Sequence, residues 1–176
     1  MQINLQIHDQ EVKEILKTVK IVIDTREKKI NHILSYFDSK KINYIAGEKS
    51  RNLEFGDYTC EFTYKGQVFS LEKYFAIERK ASLDELANNF TAKRTQFENE
   101  FLRAKGTKII LMVENCTYSD LIRARYRSQY NAKAFIASLN SFAFKYDFNY
   151  IFINGPDVGN FIYYQIIYFI RNFLKN

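Results

Sequence analysis

Apolar positions along the chain fall into two alternating patterns. The blocks 20–24, 108–114 and 150–153 are short, rich in Ile, Val and Leu or aromatic residues, and almost free of polar interruptions, as expected of buried strands. Further short strands are predicted near 3–7 and 43–47. Two longer runs, 53–63 and 67–81, flank Tyr64-Lys65-Gly66 and predict a β-hairpin closed by a Gly-containing turn. Between these blocks the spacing becomes helical, over 10–18, 30–39, 82–89, 92–104, 119–124 and 132–146. Pro156 then opens a last helix in which Phe161, Ile162, Gln165, Ile166, Phe169, Ile170, Phe173 and Leu174 recur at helical spacing around a wide apolar face. That breadth predicts burial on more than one side, either inside the domain or against a second copy of the chain. Strands alternating with helices predict an α/β fold, a mixed sheet flanked by helices on both faces. Residues 1–19 read as a small extension packed on a domain of residues 20–176.

The hairpin carries the candidate chemistry. Side chains alternate along a strand, so in Phe75-Ala76-Ile77-Glu78-Arg79-Lys80 the Glu78 and Lys80 side chains share one face, and Phe75 and Ile77 the other. The open end of a long hairpin brings Asp57 beside Glu78. Two carboxylates and an ammonium then converge. Carboxylate oxygens suit a hard cation such as Mg²⁺, which keeps several waters and takes one or two protein carboxylates plus a substrate phosphate. Lys80 could polarise an attacking water or neutralise charge building on a phosphorane. A solvated, charged strand end accounts for the same residues equally well on spacing alone.

Gly56-Asp57, Glu78-Arg79-Lys80 and then Asp84 form a series that resembles the signature of the XPF family of structure-specific endonucleases, within the PD-(D/E)xK superfamily. Ile21-Val22-Ile23-Asp24-Thr25-Arg26-Glu27 resembles that family's first core strand, and Ile109-Ile110-Leu111-Met112-Val113-Glu114 its apolar strand ending in an acid. The resemblance runs over roughly residues 20 to 153 and implies a restriction-endonuclease-like fold. It implies Mg²⁺ as cofactor, with Mn²⁺ as substitute, held by Asp57 and Glu78 with the backbone carbonyl of Arg79. Lys80 would be the catalytic lysine. Asp24 and Glu27 would sit at the same acidic cleft, and Arg26 would contact a phosphate. For Asp84 two roles stay open, in the site or in capping, because Ser82-Leu83-Asp84-Glu85 is also a capping-box sequence with Ser82 as N-cap. The implied activity is hydrolysis of branched, flapped or forked DNA to 5′-phosphate and 3′-hydroxyl ends. Junction resolution, restriction-like duplex cutting and a catalytically silent DNA-binding module are the alternatives. The family's appended helix-hairpin-helix modules are not expected in this sequence, which leaves weak DNA binding alone, a homodimer formed through the C-terminal helix, or a separate DNA-targeting partner to set the substrate.

Composition narrows the field. A chain of 176 residues, 47% of them hydrophobic, suffices for one domain and is short for two. The net charge of +6 suits a polyanionic partner. Arg123, Arg125, Arg127 and Lys133, interleaved with Tyr126 and Tyr130, form a basic stretch suited to DNA phosphates and to stacking on an unpaired base. Arg94 is a further DNA-contact candidate, while Lys93, Arg103 and Lys105 read as solvent-facing charges. Cys60 and Cys116 are far apart and offer neither a zinc site nor a disulfide framework, which points to a reducing, cytoplasmic compartment. His8 and His32 are too few for a His-metal nuclease or a Ser-His hydrolase, and His32 reads as a surface or core-edge residue. No signal peptide or membrane-spanning run is expected. Richness in Asn, Lys, Ile, Tyr and Phe fits an AT-rich coding origin such as a bacteriophage.

Overall fold

A computed structural model describes residues 8–175, so the strand predicted at 3–7 lies outside the described residues. Helix α1 (Asp9–Lys17) leads into β1 (Lys20–Ile23), whose β-branched run is buried at Ile21, Val22 and Ile23. Helix α2 (Asn31–Ser39) and the short β2 (Tyr44–Ile45) follow. The hairpin region forms three strands, β3 (Tyr58–Tyr64), β4 (Gln67–Ser70) and β5 (Phe75–Lys80). The predicted strand 67–81 is therefore broken. The amides of Tyr74 and Phe75 both donate to the Leu71 carbonyl at 2.9 Å, closing a turn that moves the register from Glu61↔Ser70 to Tyr58↔Ile77. The charged pair Glu72-Lys73 at this turn is the interruption in the apolar pattern that marks it.

Helices α3 (Leu83–Phe90) and α4 (Arg94–Arg103) lead to β6 (Lys108–Glu114). Then come α5 (Tyr118–Ile122), α6 (Ala132–Tyr146), β7 (Phe148–Ile153) and α7 (Val158–Phe173). The sheet has seven strands, in the order β2-β1-β3-β5-β6-β7 with β4 paired only to β3. It is mixed, as predicted: β5, β6 and β7 run parallel, and β3 runs antiparallel to β1 and β5. Every residue of β5 and all but the first of β6 are buried, which explains the uninterrupted apolar run of β6 and places the charged Glu78, Arg79 and Lys80 of β5 in buried positions.

Two cores lie on the two faces. One joins Ile21, Ile23, Ile77 and Met112 to α1, α2 and α7, and the other joins Ala76, Leu111 and Val113 to α3, α4 and α6. Helix α7 buries Ile162, Ile166 and Ile170 in the first core, and Phe169 stacks on Phe75 with ring centroids 4.5 Å apart. Its broad apolar face is accounted for within the domain, with Tyr164 and Tyr168 left exposed. Among the described residues, no helix is long and apolar enough to cross a membrane.

Candidate active site

Strand direction gathers the candidate residues at one end of the sheet. β1 and the parallel pair β5 and β6 all end there, and antiparallel β3 begins there. Asp24, Asp57, Glu78-Arg79-Lys80 and Glu114 are consequently neighbours, although the sequence spreads them over some ninety positions. Asp57 is fixed from both sides: its amide donates to the Ile77 carbonyl at 2.9 Å and its carbonyl accepts the Asp24 amide at 2.8 Å. Its Oδ2 also accepts the Arg79 amide at 2.7 Å. Gly56 makes this approach possible. Its φ is +74°, and a Cβ there would lie 2.9 Å from the Ala76 Cβ and 3.1 Å from the Ile77 carbonyl oxygen.

The alternation of β5 divides the signature between the two faces. Glu78 and Lys80 share the α4 side, where Lys80 Nζ donates to Glu78 Oε1 at 2.6 Å and lies 5.2 Å from the centre of the Phe97 ring. Arg79 points to the other face. There its guanidinium pairs with Glu27 and with Glu114 Oε2 at 2.6 Å, and Glu114 Oε1 meets His32 Nε2 at 2.7 Å. The chain Glu27–Arg79–Glu114–His32, buried at Arg79 and Glu114 and exposed at His32, is not among the sequence-based expectations. Its legible signals were the odd parity of Arg79 against Glu78 and Lys80, and an acid closing the apolar β6.

Asp24 is engaged by its own turn. It receives Arg26 Nε at 2.8 Å, the Arg26 amide and NH2 at 2.7 Å each, and the Leu53 amide at 2.7 Å. Arg26, held in this fork, keeps a largely exposed side chain that lines a cleft of about 170 Å³. Phe55, Asp57, Glu78, Glu100 and Arg103 also line it. Glu100 is absent from the sequence-based set, and Arg103 was read there as solvent-facing. Their helical spacing from the buried Phe97 and Phe101 of α4 is what aims them at the cleft.

Charge in this cleft is unbalanced. Burial, then Glu78, then Glu27 hold the Asp57 carboxyl well above the ordinary carboxylate range, against Lys80 and the Arg79 amide. Burial and Glu78 also raise Glu100, and burial raises Glu27 despite its pairing with Arg79. Lys80 moves the opposite way to a buried lysine: burial works against its charge, but Glu78 and Asp57 outweigh it and keep the ammonium protonated.

The remaining candidates lie on α3, α4 and around α6. Ser82 caps α3 by accepting the Glu85 amide at 3.2 Å, and Glu85 reaches back to the Ala81 amide at 2.8 Å. Asp84 takes neither of these capping bonds, and its carboxylate bonds the loop before α6. Arg123, Arg125, Arg127 and Lys133 are exposed, whereas Tyr126 and Tyr130 are half-buried with their rings against Phe135. Arg94 lies across Phe142, 5.1 Å from the ring centre.

A model of the ERCC4 domain matches residues 23–164, which include every one of these groups. The chain belongs to the ERCC4 domain family. Among solved structures, XPF from Aeropyrum pernix aligns with a TM-score of 0.62 at 17% identity, over 86% of this chain and 65% of that one. XPF from Aeropyrum pernix in complex with DNA aligns at 0.61 and 15% identity, over 87% of this chain and 66% of that one. At these identities the likeness is one of fold, and this chain spans about two thirds of the length of those chains. No curated protein matches it.

This ERCC4 domain fits a hard divalent cation. Asp57 and Glu78 supply carboxylate oxygens to the cleft, where burial and then the charges of Glu78 and Glu27 hold the Asp57 carboxyl above its ordinary range. Among the described residues no three acidic, His or Cys side chains form a ready-made cage. Two carboxylates with water and substrate phosphate completing the shell is the arrangement expected of Mg²⁺.

Proposed function

We infer that this ERCC4 domain is a divalent-metal-dependent DNA endonuclease acting on branched, flapped or forked DNA. The observation that carries the reading is the meeting of Asp57 and Glu78 in one cleft, with a protonated Lys80 bonded to Glu78 at 2.6 Å. Asp57 and Glu78 would hold Mg²⁺ or Mn²⁺, which as a Lewis acid supplies charge neutralisation at the phosphate and a more acidic water. Lys80 stays protonated, so its part is electrostatic: it orients the attacking water or stabilises charge on the phosphoryl oxygens, and does not remove a proton. Arg26 and Arg103 at the cleft wall would grip phosphates on either side of the scissile one. Hydrolysis would leave a 5′-phosphate and a 3′-hydroxyl. The basic edge of Arg123, Arg125, Arg127 and Lys133, with Arg94, would hold the DNA backbone.

The test is incision of end-labelled flap, fork, four-way junction, duplex and single-stranded DNA with Mg²⁺, Mn²⁺ or EDTA. Cutting of flap or fork with either metal is expected, abolished by EDTA and reduced at least about 10²-fold in Asp57→Asn and Lys80→Ala. Preference for the four-way junction would favour a resolvase. Tight DNA binding without incision under any metal would replace the enzyme with a silent module or one lacking its partner.

A further inference from the structure

Asp84 completes the sequence signature, yet it does not line the cleft. It stands in the first turn of α3, directly after the strand that carries Glu78 and Lys80, and its carboxylate faces away along the surface to the loop between α5 and α6. Asp84 Oδ1 accepts the successive backbone amides of Arg127 at 2.8 Å and Ser128 at 2.7 Å, and Oδ2 faces Arg127 Nε at 3.4 Å. Two adjacent amides converging on one oxygen fix the backbone path of the loop, not merely one side chain. Burial works against the charge of Asp84, but these amide bonds outweigh it and hold its carboxyl below the usual range.

The rest of the loop is tied to the domain independently. The Arg125 amide donates to the Asp120 carbonyl at 2.8 Å, the Tyr126 hydroxyl donates to the Tyr130 carbonyl at 2.7 Å, and both tyrosine rings lean on Phe135. With the tyrosines turned inward, Arg123, Arg125 and Arg127 turn outward along one edge, Arg125 lying 3.5 Å from Asp120 and Arg127 3.4 Å from Asp84. The Arg127 side chain is 93% exposed although its own backbone is pinned. A flexible loop must be ordered on binding and loses affinity in proportion, whereas a loop held in place does not.

We propose that Asp84 is a positioning residue that ties this basic DNA-contact loop to the catalytic strand, setting the phosphates it grips in register with the cleft. The proposal rests on the nuclease reading above. It also makes a prediction opposite in sign to simple electrostatics. Removing a carboxylate beside a DNA-binding surface should by charge alone strengthen binding, but loss of the anchor should weaken it.

The experiment measures fork-DNA affinity by fluorescence anisotropy in EDTA across a salt series, alongside limited trypsin digestion and steady-state cleavage. Asp84→Ala is expected to raise Kd about tenfold and lower the salt slope by about one to two. Its KM should rise by more than its kcat falls, and trypsin should cut after Arg125 or Arg127 sooner than in the wild type. Asp84→Asn keeps an oxygen that can accept both amides, so it should bind DNA as well as the wild type or better. In an Arg125→Ala, Arg127→Ala background, Asp84→Ala should add little. Loss of kcat in both Asp84 variants with affinity, salt slope and digestion pattern unchanged would place Asp84 at the reaction centre and overturn the proposal. If the wild type binds no DNA at any salt, the DNA role falls together with the nuclease reading. The digestion pattern reports the anchor separately, and an unchanged pattern in Asp84→Ala would remove it too.

Discussion

Asp57 is held where its charge is disfavoured. Its backbone is bonded on both sides, and burial together with Glu78 and Glu27 raises its carboxyl. A carboxyl that takes up protons more readily folded than unfolded stabilises the fold at low pH, and that contribution is lost as pH rises from the unfolded value through the folded one. Metal-free protein should therefore lose stability as pH climbs from about 4 toward neutrality, and Mg²⁺ should restore it most at the upper end of that range. Asp57→Asn keeps an acceptor for the Arg79 amide and removes the charge. It is expected to melt about 2–4 °C higher than the wild type without metal, to flatten the pH dependence, and to abolish the gain from Mg²⁺. Thermal melts at several pH values, with and without Mg²⁺, check this. A lower melting temperature for Asp57→Asn in EDTA would show that the acid supports the fold.

At the scale of elements, the site depends on how closely β3 and β5 approach at their paired ends, and Gly56 sets that distance. Any side chain there meets the Ala76 Cβ and the Ile77 carbonyl from a backbone already in the left-handed region. Gly56→Ala should cost about 1–3 kcal/mol in urea unfolding and displace Asp57, lowering incision more than DNA affinity. Wild-type stability in this variant would contradict the packing described. Much at this scale was legible from the chain. Uninterrupted apolar runs marked β1 and β6, and strand parity put Glu78 and Lys80 together. At the break after Leu71 the signal in the chain is the short charged pair Glu72-Lys73 between strand-like residues, and the two amide bonds to the Leu71 carbonyl show that the register moves there. Glu100 and Arg103 escaped because helical spacing tells which residues of α4 are buried, not what its exposed face meets. The Arg79 pairs with Glu27 and Glu114 required knowing that β1, β5 and β6 all end at one edge.

For the whole molecule, the question is where the folding unit begins. The ERCC4 match starts at residue 23, but the core continues upstream of it. Val12, Ile15 and Val19 are buried with β3 and α7 residues, and Thr18 Oγ1 both donates to the Thr63 carbonyl at 3.0 Å and accepts the Thr63 amide at 2.9 Å. The Tyr64 hydroxyl adds a bond to Glu11 at 3.2 Å. We propose that residues 1–19 are an extension whose helix is part of the domain's stability. Val12 and Ile15 alone each contribute about 1.5–3 kcal/mol by burial, so removing residues 1–19 should lower the melting temperature by at least about 6 °C. These contacts hold the Thr63–Tyr64 end of β3, and Asp57 precedes its opposite end. The truncated chain that remains folded should therefore keep the metal requirement inferred for the whole domain while losing stability. An unchanged melting temperature would make the extension a separable appendage, and loss of metal dependence at a temperature where the truncated chain is folded would mean that β3 transmits strain along its length to the cleft.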